Sequence, residues 1–188
     1  MRTSIIILMG LFFGVCAYAM DNQADTSSPY ARWNNGPSLA KDFFPIGIWL
    51  QSTDNATKYK QIGINTYYGL WKGPTSEQLR QLKDADIKLI CRQNKQGLEH
   101  IDDDTIIGWM QIDEPDNAGK EREIIGDPVP IKPDYIIEQY NKVKDKDSSR
   151  PVFLNLGQGV ANDRWRGRGW RTDHLEDYLQ YIKGCDIV

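Results

Sequence analysis

Cysteine and histidine are scarce. The chain of 188 residues carries three cysteines and two histidines, His100 and His174, with no CxxC pair. A structural zinc site and a disulfide scaffold both lose their usual signature. Charge of one sign is also missing, because a net charge of −3 leaves no basic excess for neutralising phosphates. General nucleic-acid binding is therefore a poor fit. A glycine-rich phosphate loop is absent where a nucleotide fold wants one, since Leu50-Gln51-Ser52-Thr53-Asp54 follows the first strand-like run. Gly157-Gln158-Gly159 lacks a third glycine and reads only as a turn. Beyond the first twenty residues, no apolar run is long enough to meet a membrane.

Those first residues have their own logic. Arg2 supplies a positive charge, Ser4 to Val15 is almost unbroken apolar sequence, and Ala17-Tyr18-Ala19 places small residues where a signal peptidase reads. Residues 1–19 are predicted to be a cleaved signal, which implies a secreted or periplasmic protein with no membrane contact afterwards. A lipid anchor at Cys16 is disfavoured because Val15, just ahead of it, is too large. Residues 20–43 are polar, with Pro29, Gly36 and Pro37, and read as a linker or a wrapping N-terminal arm. The remaining thiols, Cys91 and Cys185, sit in separate apolar runs and read as small core residues.

From Phe44 onward a strand–helix rhythm takes over. Apolar runs of four to seven residues recur at Pro45–Leu50, Ile64–Tyr68, Ile87–Cys91, Ile106–Ile112, Pro151–Leu156 and Cys185–Val188. Their β-branched and aromatic content suits strands buried on both faces. Between them, Thr75–Asp84, Pro133–Lys144 and His174–Lys183 space their apolar residues for helices, and Asp54–Gln61 is a shorter candidate. The interval Asn94–Thr105 is acidic and poorly patterned, so its helix stays open. Alternation of this kind predicts parallel strands joined by crossovers. A doubly wound sheet and a barrel both satisfy it. The absent phosphate loop favours an α/β barrel of the (β/α)8 TIM type. A whole barrel needs about 250 residues, so residues 44–188 are expected to be its part, stopping after about six strands.

Strand ends are where such a fold keeps its chemistry. They collect Trp49 and Gln51 from the first strand, Tyr67, Tyr68 and Trp71 from the second, and Arg92 and Gln93 from the third. The fourth adds Asp113, Glu114 and Asp116, and the fifth Asn155 and Gln158. Rings that stack on C–H faces, beside amide, guanidinium and carboxylate groups that bond hydroxyls, match a sugar. Trp49 or Tyr67 could equally fill the core. In the run Trp109 to Asp116, Pro115 turns the chain out of the strand directly after Glu114. Partial burial beside a ring would suit Glu114 to donate a proton. Asp113 and Asp116 could instead cap the next helix or pair with Arg92.

A barrel whose fourth strand ends in such a glutamate resembles the large retaining clan of glycoside hydrolases that includes many β-galactosidases and cellulases. That clan usually has asparagine before the acid/base glutamate, where this chain has Asp113. The run Gly108–Ala118, with Leu154–Gly159 downstream, is similar to barrel proteins of exported bacterial carbohydrate systems. The resemblance implies O-glycosyl hydrolysis of a poly- or oligosaccharide by a retaining mechanism, with Glu114 as acid/base; Asp113 is expected from its place in the run as an orienting or hydrogen-bonding group, and no cofactor or metal is assigned. It places the attacking carboxylate on a seventh strand, so no residue here is named nucleophile. The alternative is a barrel that binds carbohydrate without turning it over. Two other runs are weighed apart. Arg164 to Arg171 interleaves arginine with tryptophan and reads either as a solvated loop with one tryptophan tucked under it or as a contact for an anionic polysaccharide. Asp102-Asp103-Asp104 reads as a solvated turn, because consecutive aspartates cannot all face one ion.

Overall fold

The computed structural model describes residues 27–116, 131–157 and 175–188. The predicted signal, Gln158 and the arginine–tryptophan run lie outside the described residues. Five strands form one parallel sheet: β1 (Gly47–Trp49), β2 (Thr66–Tyr68), β3 (Lys88–Cys91), β4 (Ile106–Met110) and β5 (Val152–Phe153). Their order in the sheet is their order in the chain. No reversal occurs among them, so no topological switch point of the doubly wound kind arises. The sixth predicted strand is reduced to a single bridge, Phe153 with Ile187. Pairing there is carried by the Leu154 N–H on Ile187 O (2.9 Å) and the Ile187 N–H on Val152 O (3.1 Å).

Helices fill the intervals: α1 (Ala56–Gln61), α2 (Ser76–Asp84), α3 (Lys95–Glu99), α4 (Pro133–Lys146) and α5 (Tyr178–Tyr181). A capping box starts α2, where the Thr75 hydroxyl accepts the Gln78 N–H and the Gln78 side chain accepts the Thr75 N–H. Leu79 and Leu82 are then buried beneath it, worth roughly 1.5–3 kcal/mol each. Pro133 occupies the first turn of α4, where its missing N–H costs nothing. The open interval after β3 contains one turn, α3, capped by Asn94. The helix expected at His174–Lys183 runs from Leu175 to Gly184 as contiguous turns, a 3-10 turn on either side of four α-helical residues, with His174 outside the described residues.

The sheet separates two apolar layers. Tyr67, Leu89, Cys91, Trp109 and Val152 pack with Ala56, Leu79 and Leu82 under the helices. Tyr68, Ile90, Ile107, Met110 and Phe153 form a smaller cluster on the other face. Alternation along each strand produces this division, and a register shift between Leu89 and Ile90 against β4 adjusts it locally. The inner face is concave. Tyr68 and Phe153 lie on strands three places apart, yet their ring centroids are 5.2 Å apart. A flat sheet would separate those strands by about 14 Å.

The strands' N-terminal ends hold a buried polar hub. Arg150 is 1% exposed and donates to Ile106 O (2.7 Å), Ile101 O (2.6 Å), Asp103 O (3.1 Å) and Asp147 Oδ2 (3.0 Å). Asp147 Oδ2 also accepts the Trp109 indole N–H at 2.7 Å. The arm packs nearby, with Trp33 buried and the Asn35 N–H on Ser149 O at 3.0 Å.

Candidate functional site

The opposite rim, where strands end, gathers most of the predicted site residues. After Trp49 the chain turns sharply, with Leu50 at φ 47°. The Leu50 side chain lies against Gly69, where an added Cβ would come within 2.9 Å of Leu50 Cδ2. Gly69 itself sits at φ 74°, which favours glycine. Trp71 is fixed from two sides: its indole N–H donates to Leu50 O (3.2 Å) and its carbonyl accepts the Gln78 amide (3.2 Å). The residue is nonetheless 68% exposed. An exposed indole with its polar edge already engaged offers its faces to a ligand.

Trp49, Trp71, Lys72, Arg92, Met110 and Asp113 line a cleft of about 290 Å³. Asp113 is held in its wall by the Asn155 amide, Nδ2 to Oδ1 at 2.7 Å. Glu114 follows, partly exposed, with its N–H on Asn155 O at 2.9 Å. Asn155 therefore holds both acidic residues, one through its side chain and one through its backbone. Glu114 sits at φ 42° and Lys72 at φ 52°. Three of the four non-glycine residues with positive φ among those described, Leu50, Lys72 and Glu114, belong to this rim. Such conformations cost on the order of 1–3 kcal/mol each and concentrate at functional sites.

Four expected ligand-binding residues have other work or another place. Tyr67 is fully buried under the helices, its hydroxyl on Ser52 O (3.3 Å) and its ring edge-on to Tyr59. Strand alternation sends it to the face opposite Tyr68, and burial pushes its phenol up to about 12. Tyr68 points inward, half-buried against Phe153, and lies below the cleft lining rather than in it. Gln51 spends its amide on Trp49 O (3.1 Å) and on the Tyr59 hydroxyl (3.0 Å). Asp116 is 8% exposed and accepts from the Gly157 N–H (2.8 Å) and the Tyr178 hydroxyl (2.7 Å). Its two oxygens clasp the exit of β5 to the first residue of α5, so both are engaged within the fold. Burial and this carboxylate together push the Tyr178 phenol up.

Gln93 donates to Val143 O at 3.3 Å and lines a second hollow beside α4, which Arg92 also borders. Sequence reasoning missed Lys72 and Met110 in the cleft. Lys72 follows Trp71 in the same loop, and Met110 ends β4 on the inner face, so both were within reach of the strand-end rule. Within the aspartate run Asp104 is exposed and pairs with Lys88, whereas Asp103, expected in a solvated turn, is largely buried and pairs with Lys83, each at 2.9 Å. Among the described residues no cluster of histidine, cysteine and acidic side chains could hold a metal ion. None of their helices is long and apolar enough to cross a membrane.

Fold and rim define an α/β protein with a curved parallel sheet and an aromatic, charged cleft at the strands' C-terminal ends. No protein-family model, curated protein or solved structure matches the chain.

Proposed function

We propose that the rim cleft binds a poly- or oligosaccharide and that the chain is an exported glycoside hydrolase built on a (β/α) barrel. The observation that carries the reading is the cleft wall itself: two indoles, one locked at its polar edge and open on its faces, beside Arg92 and the amide-held Asp113. Stacking on sugar C–H faces and bidentate bonds to vicinal hydroxyls need that combination. Chain-order strands and the inner Tyr68–Phe153 contact support the barrel. Export rests on the leader-like residues 1–19.

In this reading Glu114 protonates the glycosidic oxygen as the C–O bond breaks, then takes a proton from the incoming water. A second carboxylate, about 5–5.5 Å away, would attack the anomeric carbon in a retaining reaction; no residue is assigned that role. Asp113 hydrogen-bonds a substrate hydroxyl. A carbohydrate-binding protein without turnover is the second reading, favoured because Asp113 rather than Glu114 is among the residues lining the cleft.

Reducing-sugar release and oligosaccharide binding, measured on the full chain, separate these. Hydrolysis lost in Glu114→Gln with binding retained supports the hydrolase. Binding with no hydrolysis in the wild type leaves the binding protein. Absence of binding, or hydrolysis undiminished in Glu114→Gln, rejects the assignment.

A further inference from the structure

We infer that the saccharide bound at this rim is anionic, its carboxylate or sulfate groups being read by Arg92 together with Lys142 and Lys146 of α4. The inference rests on the carbohydrate reading of the cleft and adds the substrate's charge. Arg92 and Met110 border both the 290 Å³ cleft and the adjoining hollow of about 220 Å³, so the two are contiguous. The hollow's far wall is one stripe of α4, namely Gln139, Lys142, Val143 and Lys146. Spacings of three, four and seven place those residues on a single helix face. The Gln93 amide on Val143 O ties the end of β3 to that stripe.

Charge is what distinguishes this strip. Lys72, Arg92, Lys142 and Lys146 line the two hollows, against Asp113 as the one carboxylate lining either among the described residues. The chain as a whole carries −3, so the cations are concentrated here against the general balance. Adjoining hollows in which cations outnumber carboxylates focus field and raise the local concentration of a counter-charged ligand. The arginine fork matches carboxylate and sulfate geometry. Lys142 does pair with Glu138 at 2.6 Å. Both members are more than half exposed, and an exposed i,i+4 pair is weak enough for a ligand anion to displace.

The test titrates the protein with a neutral hexose oligomer, a hexuronate oligomer and a sulfated hexose oligomer of equal length, at low and high salt. Wild type is expected to bind at least one anionic oligomer about tenfold more tightly than the neutral one, the margin shrinking with salt. Whichever is tighter, uronate or sulfate, names the source of the charge. Lys142→Ala/Lys146→Ala should bring the margin within about twofold, while Lys41→Ala/Lys58→Ala should preserve both the margin and neutral binding. Equal binding of all three oligomers, or a preference that survives in Lys142→Ala/Lys146→Ala, overturns the inference. The carbohydrate reading still stands in that case if Trp71→Ala weakens all three. Failure of every oligomer to bind overturns both.

Discussion

The Tyr68 and Phe153 rings meet at 5.2 Å with their planes inclined by 52°, across a sheet in which two strands stand between theirs. The contact exists because the sheet curls, and the curl makes the C-terminal strand ends converge on one cleft. Gly47 makes room for it. A Cβ at Gly47 would lie 2.0 Å from Tyr68 Cε2, so any side chain there must expel the ring.

Gly47→Ala is therefore expected to destabilise the fold by about 1–3 kcal/mol, the usual cost of overpacking. Denaturant unfolding measures it. Near-ultraviolet dichroism should change as Tyr68 leaves Phe153. An unchanged midpoint would mean that the ring is not seated there.

Removing one member of the hub at the opposite rim should cost more. Arg150→Met leaves the Asp147 carboxylate buried without its cation, a loss of about 3–5 kcal/mol. That is a large share of a typical domain's stability. Asp147→Asn keeps an acceptor for the Trp109 indole but leaves the Arg150 guanidinium buried without its counter-charge, and should likewise cost about 3–5 kcal/mol. Urea titration of both variants checks this, and a cost below about 1 kcal/mol in either would contradict the buried pairing.

Acid sensitivity follows from Asp103. Burial alone would raise its carboxyl, but the Thr105 hydroxyl and N–H and the Lys83 ammonium prevail and hold it at about 2. The unfolded value is about 3.9. A depressed folded value stabilises above the unfolded one and is lost as pH falls through the folded one. Stability on the order of 1–2 kcal/mol should disappear between about pH 4 and pH 2. Asp103→Asn should lower the unfolding midpoint at pH 6 and flatten its dependence across that window.

The Asp116–Tyr178 clasp invites a double-mutant cycle. Tyr178→Phe removes one hydrogen bond to the carboxylate, worth about 1.5–3 kcal/mol. Asp116→Ala removes the acceptor for Gly157 as well and should cost more. The two changes together should fall short of their sum by about 1 kcal/mol or more, because they share one contact. Strict additivity would show that the contact contributes nothing.

Sequence patterning exposed the elements well because short-range physics makes them. Thr75 and Gln78 cap α2 and Leu79 and Leu82 bury it, all within one helix. The strand runs were overlong. Ile106–Ile112 ends as a strand at Met110, where Gln111 turns its amide outward to Ile136 O and Gly184 O, each at 3.0 Å. Site residues were legible as positions at strand ends. Trp49, Trp71, Arg92 and Asp113 meet at one cleft, whereas Gln51 and Asp116 are committed to internal bonds.

By itself, then, the sequence determined the alternation of strands and helices, the order of strand ends and the residue types offered there, since periodicity and capping act over a few residues. Tertiary structure alone decided which of Tyr67 and Tyr68 faces inward, because alternation guarantees opposite faces without saying which is which. It also decided the fate of each carboxylate. Asp113, Asp116 and Asp147 are chemically one group, and they differ only by partners such as Asn155 and Tyr178 that folding brings from 42 and 62 residues away.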